Sequence, residues 1–179
     1  MGLDKRVTGK IAERIVMNEL EAYGYRATDL NKDGLSANAD LLAAKGGKIW
    51  QIQVKGCLNK PNERWWIQYG HCTPEEVRRE RSVFNGKDSF YTAQYVALVA
   101  LRSAKEYRCF LMPVKHAEEA VQANLDRYYR QPKSSDGGER KPNKIWVYVE
   151  GSAKERVRSE LLDRERKIIQ RHENAWELK

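Results

Sequence analysis

No run in this chain approaches the roughly 20 consecutive apolar residues that a membrane span needs. No apolar segment of signal-peptide type follows Met1 to Arg6 either, so a cytoplasmic or nucleoid-associated protein is expected. Cysteine is scarce. Cys57, Cys72 and Cys109 are an odd set at irregular spacing, which suits a reducing compartment and argues against a disulfide framework. Together with His71 and His116 they match no compact zinc knuckle. A Gly-rich phosphate loop of the P-loop kind is missing, which leaves ATP-driven chemistry unsupported, and no Ser-His-Asp arrangement stands out. There is no internal repeat, and no linker is long enough to separate a second domain from the first. Acidic residues are outnumbered, 25 against 33 Lys and Arg, for a net charge of +8 and a pI near 9.4. That balance points to a polyanionic partner, most often nucleic acid.

What is present reads as one α/β domain of 179 residues. Thr8 or Gly9 can cap a helix that runs to about Tyr23 and stops at Gly24. Its apolar stripe is Ile11, Ala12, Ile15, Val16, Leu20 and Tyr23, with Glu13 at the border, free to reach a neighbouring cleft. Glu19 lies nearer the middle of the stripe and is read as an ordinary solvated glutamate. Tyr25 to Thr28 is a first strand, followed by a polar loop to Asn38. Gly56 to Glu63 is expected to be loop, Arg64 to Tyr69 extended, and Thr73-Pro74-Glu75-Glu76 a helix start. Tyr95 to Leu101 is nearly all apolar and should be a buried central strand. Tyr107 to Met112 should return antiparallel to it, ahead of a helix from Val114 to about Tyr129. Residues 131–144 are rich in Pro, Ser, Gly and Lys, the composition of a flexible basic loop. A strand from Ile145 to Val149 and a charged helix from Ala153 to His172 complete the chain.

The chain's chemistry concentrates around Gly46-Gly47, a hairpin signal between two strand-like runs. With these glycines as the loop, Lys45 faces Lys48 and Asp40 faces Gln53. Side chains alternate along a strand, so Gln51, Gln53 and Lys55 share one face, and Trp50, Ile52 and Val54 the other. Opposed residues have Cβ atoms roughly 5 Å apart. One face of the hairpin then gathers a carboxylate, an amide oxygen and an ammonium, a cation site with a lysine beside it. A solvated polar face on a two-stranded ribbon is the competing reading.

The ordered set Gly9, Ala12-Glu13, Val16, Leu20, Gly24-Tyr25, Asp40-Leu41-Leu42 and Gln53-Val54-Lys55-Gly56 resembles the PD-(D/E)XK nuclease superfamily. The likeness is to its compact members, the archaeal-type Holliday junction resolvases and the homing endonucleases of this fold. It covers about two-thirds of the chain. The resemblance implies a mixed central sheet flanked by helices, a restriction-endonuclease-like αβββαβ core over 1–130. Residues 145–179 would then add a strand and helix that pack on the core or in a dimer contact. It also implies a Mg²⁺-dependent DNA endonuclease, with Mn²⁺ able to substitute, acting on double-stranded or branched DNA as a homodimer or higher homo-oligomer. Asp40 would be the metal-binding aspartate, Lys55 the motif lysine and Glu13 the helix-borne glutamate. Gln53 stands where most members carry an acid. Its amide oxygen can ligate a hard cation but brings no charge. Asp40, Gln53, the Val54 carbonyl and Glu13 would hold the metal.

Lys10, Arg14, Lys32, Lys60, Arg64, Arg78, Arg79, Arg81 and Lys141 are candidate phosphate contacts. Trp65 and Trp66 can stack on bases, though at least one is expected in the core. A catalytically inactive DNA- or RNA-binding module on the same fold is the rival reading.

Overall fold

The computed structural model describes residues 5–31, 39–58, 64–68, 93–103, 105–130, 144–148 and 159–179. The Thr73 helix start and nearly all of the 131–144 loop lie outside them. No helix among the described residues is long and apolar enough to cross a membrane.

Helix α1 spans Lys5–Ala22. Its stripe of Ala12, Ile15, Val16 and Leu20 is buried. The helix stops at Gly24, whose φ of +80° only glycine adopts without strain. There Gly24 N donates to Glu21 O (2.9 Å) and Tyr25 N to Leu20 O (3.0 Å), the paired bonds of a Schellman cap. The helix begins earlier than Thr8, because Thr8 packs into the protein at 5% exposure instead of capping.

Strands β1 (Arg26–Asp29), β2 (Leu41–Lys45), β3 (Lys48–Leu58), β5 (Tyr95–Leu101) and β6 (Tyr107–Pro113) form one mixed sheet in the order β1-β2-β3-β5-β6. Only β3 and β5 pair parallel; the other neighbours are antiparallel. The β2–β3 turn has positive φ at Gly46 (59°) and Gly47 (79°), and Lys45 faces Lys48. A short second sheet joins β4 (Arg64–Gln68) to β7 (Lys144–Tyr148). Helix α2 (Val114–Arg130) follows β6, and α3 (Ser159–Gln170) precedes the C-terminal segment.

Each face of the main sheet has its own core. On one, α1 packs over Leu41, Ala43, Trp50, Ile52, Val54, Ala97 and Val99. The other stacks Ala117, Ala120 and Val121 of α2 and Ile169 of α3 on Val96, Leu98, Ala100, Phe110 and Met112. Strand β5 therefore contributes to both, which is why all seven of its residues are buried and its sequence is an unbroken apolar run. Trp65 belongs to the second core. Its indole N–H reaches Val99 O at 3.2 Å and its ring meets Phe110 edge-on at 5.9 Å, so both its polar and apolar parts are satisfied.

Two expectations are corrected here. Gly56 to Leu58 is not loop: β3 continues because its whole length from Ile52 to Leu58 has β5 beside it. Gly56 is also where α1 lies closest, since a Cβ there would stand 2.8 Å from Ala12 Cβ and 3.0 Å from Thr8 O. Glu19 is not simply solvated; it is half-buried and accepts a hydrogen bond from the Tyr107 hydroxyl.

The C-terminal segment runs beside β6, with Leu111 N donating to His172 O (3.1 Å) and Asn174 N to Cys109 O (2.9 Å). It then buries Trp176 and Leu178 in the α1-side core. Tyr25 OH accepts from Leu178 N and Tyr95 OH from Lys179 N, both at 2.8 Å.

Candidate active site

The site begins where β2 does. The β2–β3 register pairs Leu41 with Ile52, and one step further Asp40 stands opposite Gln53. Asp40 N donates to Ile52 O at 3.0 Å, which holds the aspartate backbone against β3 just before the ladder starts. The next inward amide of β3, Val54 N, meets a side chain there: it donates to Asp40 Oδ2 at 2.7 Å. The Gln53 side-chain amide donates to the same oxygen. An ionised acceptor makes these the stronger kind of hydrogen bond, and together they fix the orientation of the carboxylate.

Gln53 is buried and Lys55 half-buried. Their parallel partners on β5 are Val96 and Leu98, so both side chains rise from the face that α2 and α3 cover elsewhere. Burial pushes the Lys55 ammonium below its ordinary pKa, and the Asp40 charge opposes that shift. Burial therefore favours the neutral amine, and the nearby aspartate the ammonium.

Glu13 comes from α1, on the other face of the sheet, and meets Asp40 past the end of β2 through one intermediary. Asn31 Nδ2 donates to Asp40 Oδ1 (3.3 Å) and to Glu13 Oε1 (3.4 Å). Asp29, at the end of β1, is a third acid at this corner and accepts from Asn31 N at 2.9 Å. The Glu13 carboxyl is raised to about 7, first by burial and then by the charges of Asp40 and Asp29, while Asn31 and Lys10 act in the opposite sense. Two acids held this close repel each other, and a cation between them would relieve that.

Among the described residues, no three His, Cys, Asp or Glu side chains form a metal-holding group. A cation here would draw instead on the Glu13 and Asp40 carboxylates, the Gln53 amide oxygen and a backbone carbonyl such as that of Val54. Such an all-oxygen set suits a hard cation like Mg²⁺. Two carboxylate oxygens already converge on one nitrogen, so the set fits.

The residues read from the sequence as site members, Glu13, Asp40, Gln53, Val54 and Lys55, are therefore brought to one corner of the sheet. Lys10 and Arg14 are exposed on α1 beside Glu13. Arg64 opens β4, but its side chain, like that of Trp66, lies outside the described residues, as do Lys32, Lys60, Arg78, Arg79, Arg81 and Lys141. Cys57 and Cys109 form no disulfide. Asn31 and Asp29 were not singled out from the sequence. The available signal was weak: a polar residue closing the first strand, with the site's aspartate a few residues on.

No family model matches the chain, and no curated protein does. Solved structures similar to it include a homing endonuclease and a Holliday junction resolvase. The bacterial homing endonuclease I-Ssp6803I is 14% identical with a TM-score of 0.45, covering 98% of this chain and 90% of that one. Hjc, a Holliday junction resolvase from the archaeal hyperthermophile Archaeoglobus fulgidus, is 19% identical with a TM-score of 0.37, covering 78% of this chain and 83% of that one. Both scores are under 0.5, so any functional weight falls on the chain's own side chains.

Proposed function

We propose that this protein is a metal-dependent DNA endonuclease that hydrolyses phosphodiester bonds, with Mg²⁺ as its cation and Mn²⁺ as a substitute. The observation that carries the reading is the joint placement of Asp40, Gln53 and Lys55 on one face of a hairpin, with Glu13 delivered to the same corner by a separate helix. A bound divalent cation would polarise the phosphate and lower the pKa of a water. The protein's own role is positional and electrostatic. Asp40 is held through Oδ2 by Val54 N and Gln53, so its other oxygen, Oδ1, which accepts only the long bond from Asn31, keeps a constant aim. Lys55, on the same face, is placed to orient the attacking water or to meet charge growing on the phosphate oxygens. Lys10 and Arg14 would contact the DNA backbone, giving affinity that falls steeply with salt. Both strands of a duplex present a scissile bond, so a homo-oligomer with two such sites, working in the cytoplasm, completes the reading.

One observation favours a second reading. Gln53 has no charge and its amide N–H already satisfies Asp40, a stable arrangement for a binding module that does not cut. The test is supercoiled plasmid incubated with Mg²⁺, Mn²⁺ or chelator, beside Asp40→Asn. Metal-dependent nicking or linearisation that disappears in the variant is expected. Intact plasmid together with a salt-sensitive gel shift would establish the binding module instead.

A further inference from the structure

Asn31 is an exposed side chain in the turn just past β1 that nothing in the sequence motifs assigns. We propose that Asn31 is a further ligand of the cation centre: its NH₂ group braces Glu13 against Asp40 when the site is empty of metal, and its Oδ1 turns in to ligate when metal is bound. This rests on the cation-dependent reading above and goes one residue beyond it.

Three features carry the inference. First, one nitrogen is shared between two carboxylates, at 3.3 and 3.4 Å. Both distances are longer than the usual 2.7–3.2 Å of an N–H···O bond, so the brace is weak and readily exchanged. Second, the Asn31 backbone is pinned while its side-chain amide is held only by those two long bonds. Its N–H donates to Asp29 Oδ1 (2.9 Å), and the preceding residue, Leu30, donates its N–H to Asp40 O (3.0 Å). The stem is therefore tied both to the neighbouring acid and to the site's aspartate. Third, the terminal torsion of asparagine is broad and two-fold. A half-turn about it exchanges NH₂ for C=O at nearly the same position, a donor to two carboxylates becoming an oxygen aimed at the point they share. With Gln53 uncharged in the place of an acid, a further oxygen supports a donor set that has only two carboxylates.

The experiment measures Mn²⁺ affinity of the full chain without DNA, by calorimetry, for wild type, Asn31→Leu and Asn31→Asp. Thermal unfolding in chelator is recorded alongside. Asn31→Leu keeps the branched heavy-atom outline and loses both roles. It should weaken Mn²⁺ binding about tenfold, the size of loss typical when a metal site's supporting group is removed. Because Asn31 is exposed, its unfolding temperature in chelator should stay near that of wild type. Asn31→Asp cannot brace but adds a charged oxygen, and should bind Mn²⁺ at least as tightly as wild type. Equal Mn²⁺ affinity for Asn31→Leu and wild type would overturn the role of Asn31 and leave the cation centre standing. Loss in Asn31→Asp as deep as in Asn31→Leu would overturn ligation by Oδ1. No Mn²⁺ binding by wild type would overturn the cation centre itself, and the role of Asn31 with it.

Discussion

Replacing Gly56 by alanine tests how α1, and with it Glu13, is held on the sheet. The added Cβ would stand 2.8 Å from Ala12 Cβ and 3.0 Å from Thr8 O, whereas carbon atoms in contact settle about 3.5–4.0 Å apart. Neither neighbour is the end of a flexible side chain, so the helix itself must move outward by roughly 0.7 Å or more. Overpacking of this kind costs about 1–3 kcal/mol. Some of that is offset, because alanine in a strand is favoured over glycine by about 0.5–1 kcal/mol. The difference spans about 0–2.5 kcal/mol. With two close contacts to relieve we expect about 1–2 kcal/mol, which corresponds to about 2–8 °C in unfolding temperature for a chain of this size. The same displacement carries Glu13, next to Ala12, away from Asn31, where the bond is already 3.4 Å, so Mn²⁺ affinity should fall as well. The assay is thermal and urea unfolding of Gly56→Ala, Ala12→Gly and the double variant. Because Ala12→Gly removes the nearer of the two obstructions, the double variant should be more stable than the sum of the singles predicts, by about 1 kcal/mol. An unfolding temperature for Gly56→Ala within about 1 °C of wild type, smaller than the shift expected, or strictly additive singles, would refute the close approach.

Four further outcomes follow from named contacts. Lys55→Ala should abolish plasmid cleavage while retaining salt-sensitive DNA binding, read by gel shift; near-normal turnover would remove Lys55 from the chemistry. Glu13→Gln should stabilise the metal-free protein at pH 8, because the carboxyl raised to about 7 no longer ionises against Asp40 and Asp29. Stability owed to a raised carboxyl is complete below its ordinary value of 4.5 and lost as pH rises through 7, so the gain should vanish toward pH 4.5, and a gain unchanged with pH contradicts this origin. His172, depressed to about 4 by burial, then by His116 and Arg171, works in the opposite direction. It binds its proton more readily when unfolded, so unfolding temperatures should drop as pH falls from 6.5 toward 4, and drop less in His172→Asn; parallel profiles would contradict it. Trp176→Ala should cost about 3–5 kcal/mol in chemical unfolding, since the indole is 3% exposed in the α1-side core, and an unchanged midpoint would mean the segment does not pack there.

Much of this architecture is legible in the sequence, wherever local stereochemistry decides the outcome. Gly24 and Gly46-Gly47 end a helix and turn a hairpin because their backbones take positive φ. Strand β5 is legible because burial on both faces leaves it no polar position. The Asp40–Gln53 pairing is legible for the same local reason: a two-residue turn sets the register, and period two does the rest. The heart of the site was thus determined by interactions spanning about a dozen residues along the chain, as the step from Asp40 to Gln53 illustrates.

What remained depended on how distant pieces dock, which no periodicity reports. Strand β3 continues through Gly56 because β5 lies beside it, and Thr8 is buried because α1 sits close over that glycine. Glu19 becomes a hydrogen-bond acceptor only because Tyr107, 88 residues away, reaches it. Trp176 and Leu178 look like an ordinary polar-flanked tail until the chain returns across β6 to the first core. Asn31 is the clearest instance. Its place between Glu13, 18 residues before it, and Asp40, nine after it, exists only once the helix, the end of β1 and the start of β2 are packed at one corner. Alternation and turn chemistry chose the strands and the pair of residues across them; the packing of α1 on the sheet decided which acids share an amide.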